Sequence, residues 1–213
     1  MRQHAAARPF TLVELIMVMG VMILLAVVAV PAYSSLFAGR KTTLAANQVN
    51  GAIIEARTHA VSKKVYTALI FVKEGSGYKS FRLAEVYHNT ETENSTYDWR
   101  RWAPDSSLVL LPENTMIPDS NRDFGTTSDG SEGKVGSGAP PKVTKLGNSG
   151  LPTNNADRAI IFKPNGQLAG TKDNNLVVRF VEINRYEANS STPKLPLNIN
   201  WLTCKTKFLD PVQ

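Results

Sequence analysis

The residues best suited to acid–base, nucleophilic or metal chemistry are sparse in this chain. The three histidines, His4, His59 and His88, are widely spaced, and Cys204 is the one cysteine. The sequence has no phosphate-binding glycine loop, no zinc-protease helix motif and no serine nucleophile elbow. A single cysteine also excludes an intrachain disulfide and a multi-cysteine metal site. We therefore predict no catalytic residue, no metal and no cofactor.

One short segment interleaves aromatic and basic side chains. Residues 97–102 read YDWRRW, and two lysines follow Trp201 near the C-terminus. Aromatic rings can stack on bases while cations neutralise phosphates, and the net charge of +6 permits such binding. The candidate DNA contacts are Trp99, Arg100, Arg101, Trp102, Lys205 and Lys207. The alternative is that the aromatic residues complete a protein core and the cations face water.

Glu14 is a carboxylate at the start of a long apolar run. No charged or strongly polar residue occurs from Leu15 to Val30, and the run extends from Phe10 to about Phe37. As a helix this run would measure roughly 42 Å, enough to cross a bilayer core of about 30 Å. A signal peptide, a buried core helix and a plain membrane anchor are three interpretations of it. An unpaired carboxylate at membrane depth costs several kcal/mol, so Glu14 either reaches the headgroups or pairs with a cation.

The string FTLVEL, which begins at Phe10, follows a short basic leader and resembles the type IV prepilin (class III) signal. The resemblance implies cleavage between Pro9 and Phe10, methylation of the Phe10 amine, and use of the helix first as a membrane anchor and later as filament core. Glu14 and Pro31 match the family's glutamate and its helix-bending proline. A Glu14 carboxylate paired with the Phe10 amine of a neighbour would set the register between subunits. Pro9 departs from the glycine or alanine that usually precedes the phenylalanine.

The later sequence resembles one branch of this family more weakly. Residues 56–60 (ARTHA) and 160–166 (IIFKPNG) are similar to motifs of the GspH/FimT group, which contains minor pseudopilins of type II secretion and minor pilins. Trp102 and the Leu111-Pro112 pair match a further stretch of that group. Some FimT-type pilins bind DNA through a basic C-terminal Gly-Arg-x-Arg motif. The matching stretch here reads CKTK from Cys204, and lysine lacks the planar fork of arginine.

Periodicity predicts the elements that carry these residues. Apolar residues at spacings of three and four predict an amphipathic helix after the apolar run; they are Ala45, Val49, Ala52, Ile53, Ala56 and Ala60. Residues 65–72 and 78–86 predict a hairpin around Gly75-Ser76-Gly77, and further strands are predicted over 108–111, 159–162, 167–170, 176–183 and 197–203. Residues 112–158 are rich in Gly, Ser, Asn and Pro and predict a long loop.

The sequence therefore predicts an α+β protein with four parts. These are a leader over 1–9, a transmembrane and filament-core helix over 10–37, an amphipathic helix over 38–64, and a β-rich periplasmic head over 65–213 built as an antiparallel sheet packed on the helix. The interpretation is a minor pilin or pseudopilin, a structural subunit and not an enzyme. Its expected partners are other pilins, a prepilin peptidase and the bacterial inner membrane. The alternatives are a DNA-binding minor pilin for transformation and a single-pass anchor that carries a binding domain.

Overall fold

A computed structural model describes residues 11–89, 96–120, 124–126, 142–144, 157–169, 175–188 and 194–209. The chain divides into two compact units, Met1–Arg40 and Lys41–Gln213. One helix, α1, runs from Leu12 to Lys63 and contributes to both. The predicted apolar and amphipathic helices are thus one continuous element.

The second half of α1 is amphipathic, as predicted. Its fully buried side chains recur every three or four residues, which places them on one face; they are Ala45, Ala46, Val49, Ile53, Ala56 and Ala60. The helix ends where Lys64 adopts a left-handed conformation (φ 57°) and the Val65 amide donates to the Ala60 carbonyl at 3.3 Å. This arrangement is a Schellman cap made by a lysine in place of the usual glycine.

Eleven strands and a second short helix are described. The strands are β1 Tyr66–Glu74, β2 Gly77–Asn89, β3 Thr96–Trp102, β4 Val109–Leu110, β5 Thr115–Pro118, β6 Phe124–Thr126, β7 Lys142–Thr144, β8 Asp157–Phe162, β9 Leu176–Glu182, β10 Leu195–Ile199 and β11 Thr206–Phe208, and α2 is Ile183–Ala188. The α+β class is confirmed. The predicted β1–β2 hairpin is also confirmed, with Glu74 opposite Gly77.

Strand pairing closes a ring. β1 pairs with β2 and β8, β2 pairs with β3, and β7 lies between β3 and β8; only the β3–β7 pair is parallel. Every strand of the ring contributes to one buried cluster, made of Ala68, Ile70, Ala84, Val86, Tyr97, Val143, Ala159, Ile161 and Ala169. The small side chains suit the narrow interior of a five-stranded ring. β5 pairs with both β2 and β9, and so joins the ring to β6, β9, β10 and β11.

The larger core lies between α1 and the sheet. Alternate residues of β1 face two different cores. Ala68 and Ile70 belong to the ring cluster, whereas Leu69 and Phe71 belong to the larger core between α1 and the sheet. Burial on both faces explains why this strand reads as a continuous apolar run.

The prediction of a long loop over residues 112–158 is corrected in its described parts. β5, β6, β7 and the start of β8 fall within it, and Met116, Ile117 and Phe124 are fully buried. The pairings of β5 with β2 and of β7 with β3 make this stretch part of the sheet. Three further elements, β3, β11 and α2, were not predicted.

Asp119 also fixes the corrected stretch to the sheet. Its carboxylate accepts hydrogen bonds from Lys73 Nζ at 2.6 Å, from the Tyr78 hydroxyl at 2.8 Å and from Arg158 Nε at 3.1 Å. Arg158 Nη1 in turn donates to the carbonyl of Phe124. Burial opposes ionisation of Asp119, but the Lys73 and Tyr78 hydrogen bonds outweigh it and hold the pKa of Asp119 below its usual range.

Candidate functional site

The first described part of α1 presents a large apolar surface. Every described side chain from Thr11 to Val27 is exposed. Thirteen of them are large and apolar: Leu12, Val13, Leu15, Ile16, Met17, Val18, Met19, Val21, Met22, Ile23, Leu24, Leu25 and Val27. Soluble monomers rarely expose such a surface, which is typical of a segment that another molecule or a lipid phase covers. In the part of the chain that the structure describes, no helix reaches the length and hydropathy required to cross a membrane.

Glu14 lies at the N-terminus of this segment and caps it. The Thr11 hydroxyl accepts from the Glu14 amide at 3.3 Å, and the Glu14 carboxylate accepts from the Thr11 amide at 3.5 Å. These reciprocal bonds form a capping box, which gives the Thr11 amide a partner and gives the Glu14 amide a second one beside the Thr11 carbonyl at 3.1 Å. The capping-box pattern is present in the sequence as T-L-V-E. The interpretation of Glu14 as a costly charge in an apolar run does not take this pattern into account. The carboxylate therefore has a local function before any partner is considered.

The other predicted assembly residues are placed as follows. Pro9 and Phe10 lie outside the described residues, so cleavage and methylation there stay predictions. Pro31 lies within α1, whose helical backbone continues through it.

The aromatic–basic segment forms β3, and its aromatic side chains pack inward. Tyr97 is buried in the ring cluster, and burial raises its pKa to about 12. Trp99 and Trp102 are partly buried against the same cluster, with ring centroids 5.8 Å apart in an edge-to-face contact. The Arg82 guanidinium lies 4.5 Å from the centroid of the Trp102 ring. These rings stabilise the head, as the structural alternative expects.

The two arginines of β3 are held by one buried carboxylate. Glu85 on β2 is 2% exposed, and it accepts hydrogen bonds from Arg101 Nε at 2.8 Å and Nη2 at 3.0 Å. Arg100 Nη1 lies 3.6 Å from the same carboxylate, and His59 Nε2 from α1 lies 3.2 Å away. An irregularity in the β2–β3 register, next to Glu85, lets consecutive arginines approach it together. The Arg101 hydrogen bonds hold the pKa of Glu85 below its usual range.

The C-terminal lysines lie at β11, which β2, β5, β9 and β10 separate from β3 in the sheet order. Lys205 and Lys207 are exposed beside and within β11, which pairs with β10. Between them, the Thr206 hydroxyl donates to Asn50 Oδ1 of α1 at 2.7 Å. The structure therefore does not unite the six candidate DNA contacts in one strand or in neighbouring strands. Among the described residues, no group of three or more His, Cys, Asp or Glu side chains could hold a metal ion.

The fold and the apolar segment together define an α+β protein whose N-terminal helix bears a large apolar surface and whose β-rich unit has its own core. No protein-family model and no curated protein matches the chain. Among solved structures, the chain is similar to the minor pseudopilin EpsH from the type 2 secretion system of Vibrio cholerae. The two are 10% identical with a TM-score of 0.47, over 81% of this chain and 98% of that one.

Proposed function

We propose that the protein is a structural subunit of a helical filament, a minor pilin or pseudopilin whose apolar helix anchors it in the inner membrane before assembly. The observation that carries the proposal is the exposure of thirteen large apolar side chains along Leu12–Val27. Burial of one such side chain stabilises by about 1.5–3 kcal/mol, so covering the segment is worth tens of kcal/mol. Both a bilayer and a bundle of similar apolar helices can cover this segment. When a filament subunit assembles, its apolar segment leaves the bilayer and enters such a bundle.

The position of Glu14 supports this proposal. The prepilin-like string places a free amine at Phe10 after cleavage, four residues before Glu14. The Glu14 carboxylate is exposed, and its bond to the Thr11 amide is long at 3.5 Å. On this proposal it exchanges that weak local bond for a charged pair with the amine of a neighbouring subunit. Such a pair forms at one axial stagger only, and so selects the filament register.

DNA uptake is the less favoured function. Arg100 and Arg101 already share the buried carboxylate of Glu85, whose negative charge offsets part of theirs and weakens the attraction to phosphate. If the arginines serve the fold alone, Arg100→Gln leaves the salt dependence of any DNA binding unchanged. If Arg100→Gln instead lowers by about one the slope of the logarithm of the binding constant against the logarithm of the salt concentration, the DNA-binding alternative is restored.

The test of filament function uses the full chain in its native cells. Sheared filaments are collected and the protein is identified by mass spectrometry, together with its N-terminus. We expect a chain that begins at methylated Phe10, and Glu14→Ala should lower its amount in filaments at least tenfold while leaving its amount in membranes unchanged. Glu113→Gln, which removes an exposed carboxylate away from α1, is the control. A chain that stays in membranes and never enters filaments identifies a simple anchor and contradicts the proposal.

A further inference from the structure

Arg57, in the second half of α1, is a partly buried cation without a counter-ion. Its guanidinium lies against the turn after β8, because a Cβ added to Gly166 would be 3.2 Å from Arg57 Nε and 3.7 Å from Nη2. Within the described part of the chain, this guanidinium forms no ion pair and no hydrogen bond. By contrast, Arg158 donates to the carboxylate of Asp119. A cation that is partly removed from water needs an anion or an acceptor in place of the lost hydration. Arg57 can therefore bind an anion from outside the chain.

Arg57 lines a cavity of about 410 Å³ beside α1. This volume lies within the range of roughly 300–1,000 Å³ that is typical of small-molecule sites. The wall of the cavity is mainly apolar and follows α1 from Ile53 to Ser62, a length of roughly 14 Å at 1.5 Å per residue. We call this space the Arg57 cavity.

The other polar groups of the Arg57 cavity are neutral and already donate hydrogen bonds. The hydroxyls of Thr58 and Ser62 each donate to a backbone carbonyl of α1, at 2.8 Å and 3.2 Å. The Cys204 thiol donates to the Gly166 carbonyl at 3.0 Å. Burial raises the pKa of this thiol, so it stays protonated at pH 7 and supplies no negative charge to Arg57. Among the described residues on the cavity wall, Arg57 alone is charged.

We infer that the Arg57 cavity binds a fatty acid, whose carboxylate pairs with Arg57 and whose chain lies along the apolar wall. A carboxylate can accept two parallel hydrogen bonds from the planar fork of a guanidinium. Its single negative charge balances that of Arg57, whereas a doubly charged phosphate would bring one charge more than the cavity neutralises. The chain would displace water from Ile53, Ile54 and Val61, and the burial of apolar surface is favourable. This inference does not depend on the proposed filament function.

A fatty acid bound in this way would contact three separate parts of the head. Arg57 belongs to α1, Gly166 to the turn after β8, and Cys204 to the segment between β10 and β11. These parts meet only in the folded head, so the ligand would bind the native state and not the unfolded chain. Occupancy of the cavity is therefore expected to stabilise the attachment of α1 to the sheet.

Photolabelling of the full chain in membranes tests the inference. The probe is decanoate with a diazirine at its methyl end, and decanol with the same diazirine is the uncharged control. Adducts are located by mass spectrometry, and those on the exposed apolar segment Leu12–Val27 measure non-specific partition of each probe. Relative to that segment, we expect decanoate to label residues 53–62 and Cys204 at least tenfold more than decanol does. The reason is that only the carboxylate forms charge-assisted hydrogen bonds with Arg57.

Matched variants separate the charge from the apolar wall. Arg57→Gln should reduce the preference for decanoate to about twofold or less, whereas Lys41→Gln, which removes an exposed cation of α1 outside the cavity, should preserve it. Ile54 is 60% exposed, so Ile54→Gln should leave the fold intact and lower labelling by both probes at least threefold. This second variant decides the matter if Arg57→Gln does not fold.

Four results would overturn the inference. They are equal labelling of the cavity by both probes, label confined to Leu12–Val27, a preference that survives Arg57→Gln in the folded chain, and full labelling of Ile54→Gln. A peptide with a free C-terminal carboxylate that competes at least tenfold better than decanoate would assign the cavity to a polypeptide end, and so would also contradict a fatty acid. Because all of these measurements are made in membranes, their failure leaves the proposed entry into filaments untouched.

Discussion

Replacement of Glu85 by glutamine probes how much the buried carboxylate contributes to the head. Glutamine keeps the volume but removes the charge, and its amide nitrogen must face a donor of Arg101, because both carboxylate oxygens accept from Arg101. A hydrogen bond to a charged group is worth about 1.5–3 kcal/mol and a neutral one about 0.5–1.5 kcal/mol. Because Glu85 is 2% exposed, little of the loss is recovered by water. We expect Glu85→Gln to lower the free energy of unfolding by about 2 kcal/mol at pH 7.

The pH dependence of this effect has a definite sign. The pKa of Glu85 is lowered in the folded state, chiefly by the Arg101 hydrogen bonds. The unfolded chain therefore binds the proton more readily, and the stabilisation is complete above the unfolded pKa of about 4.3. It is lost as the pH falls through the lower pKa of the folded state. The difference between wild type and Glu85→Gln should shrink accordingly in acid.

Urea unfolding of the unit Lys41–Gln213, followed by tryptophan fluorescence, measures both quantities. Titrations at pH 7 and at pH 3 give the free energy of unfolding for the wild type, Glu85→Gln and the exposed control Glu55→Gln. The control should differ from the wild type by less than about 0.5 kcal/mol. A Glu85→Gln effect as small as that of the control at pH 7, or one that does not diminish at pH 3, would refute the reasoning.

Three further outcomes are expected. Asp119→Asn should destabilise by about 3 kcal/mol in urea unfolding, because it removes the carboxylate that accepts from Lys73, Tyr78 and the buried Arg158; a loss below about 1 kcal/mol would contradict a stabilising role for that carboxylate. Burial raises the pKa of the Cys204 thiol, so a thiol reagent at pH 8 should modify it at least a hundredfold faster in urea than in the native chain, and equal rates would contradict its burial. Gly77→Ala should cost at least about 2 kcal/mol, since the new Cβ would lie 2.6 Å from the Ile117 carbonyl oxygen, and an unchanged Tm would contradict that contact.

Local pattern predicted the parts of the fold that are long and regular. The face of α1 from Ala45 to Ala60 follows the helical period, and the β1–β2 hairpin follows from two apolar segments around Gly75. β5, β6 and β7 have two to four residues each in register with distant partners, which is too few to show a period. Their burial depends on tertiary pairing, so composition alone predicted a loop.

The sequence predicted where the candidate site lies but not which contacts its residues make. The apolar run and Glu14 were recognised, whereas the capping box with Thr11 was overlooked. Glu85 was missed because one carboxylate in a strand gives no local signal of its partners. Those partners, His59 and Arg101, lie 26 and 16 residues away in sequence and meet Glu85 only in the folded head. For the same reason the arginines of β3 were interpreted as ligands for phosphate.

The ring of β1, β2, β3, β7 and β8 has a kinetic consequence. Among the described residues β1 is the first strand, yet its Thr67 pairs with Phe162, 95 residues later (162 minus 67). Until β8 has been synthesised, β1 has only β2 beside it, and its other edge offers unpaired amides and carbonyls to any passing strand. Pairing over such a distance is slow, because the entropy of closing the intervening loop must be overcome first. The nascent head is thus most prone to aggregation during the interval before β8 arrives, and a holdase that covers the open edge of β1 would raise the yield of folded protein.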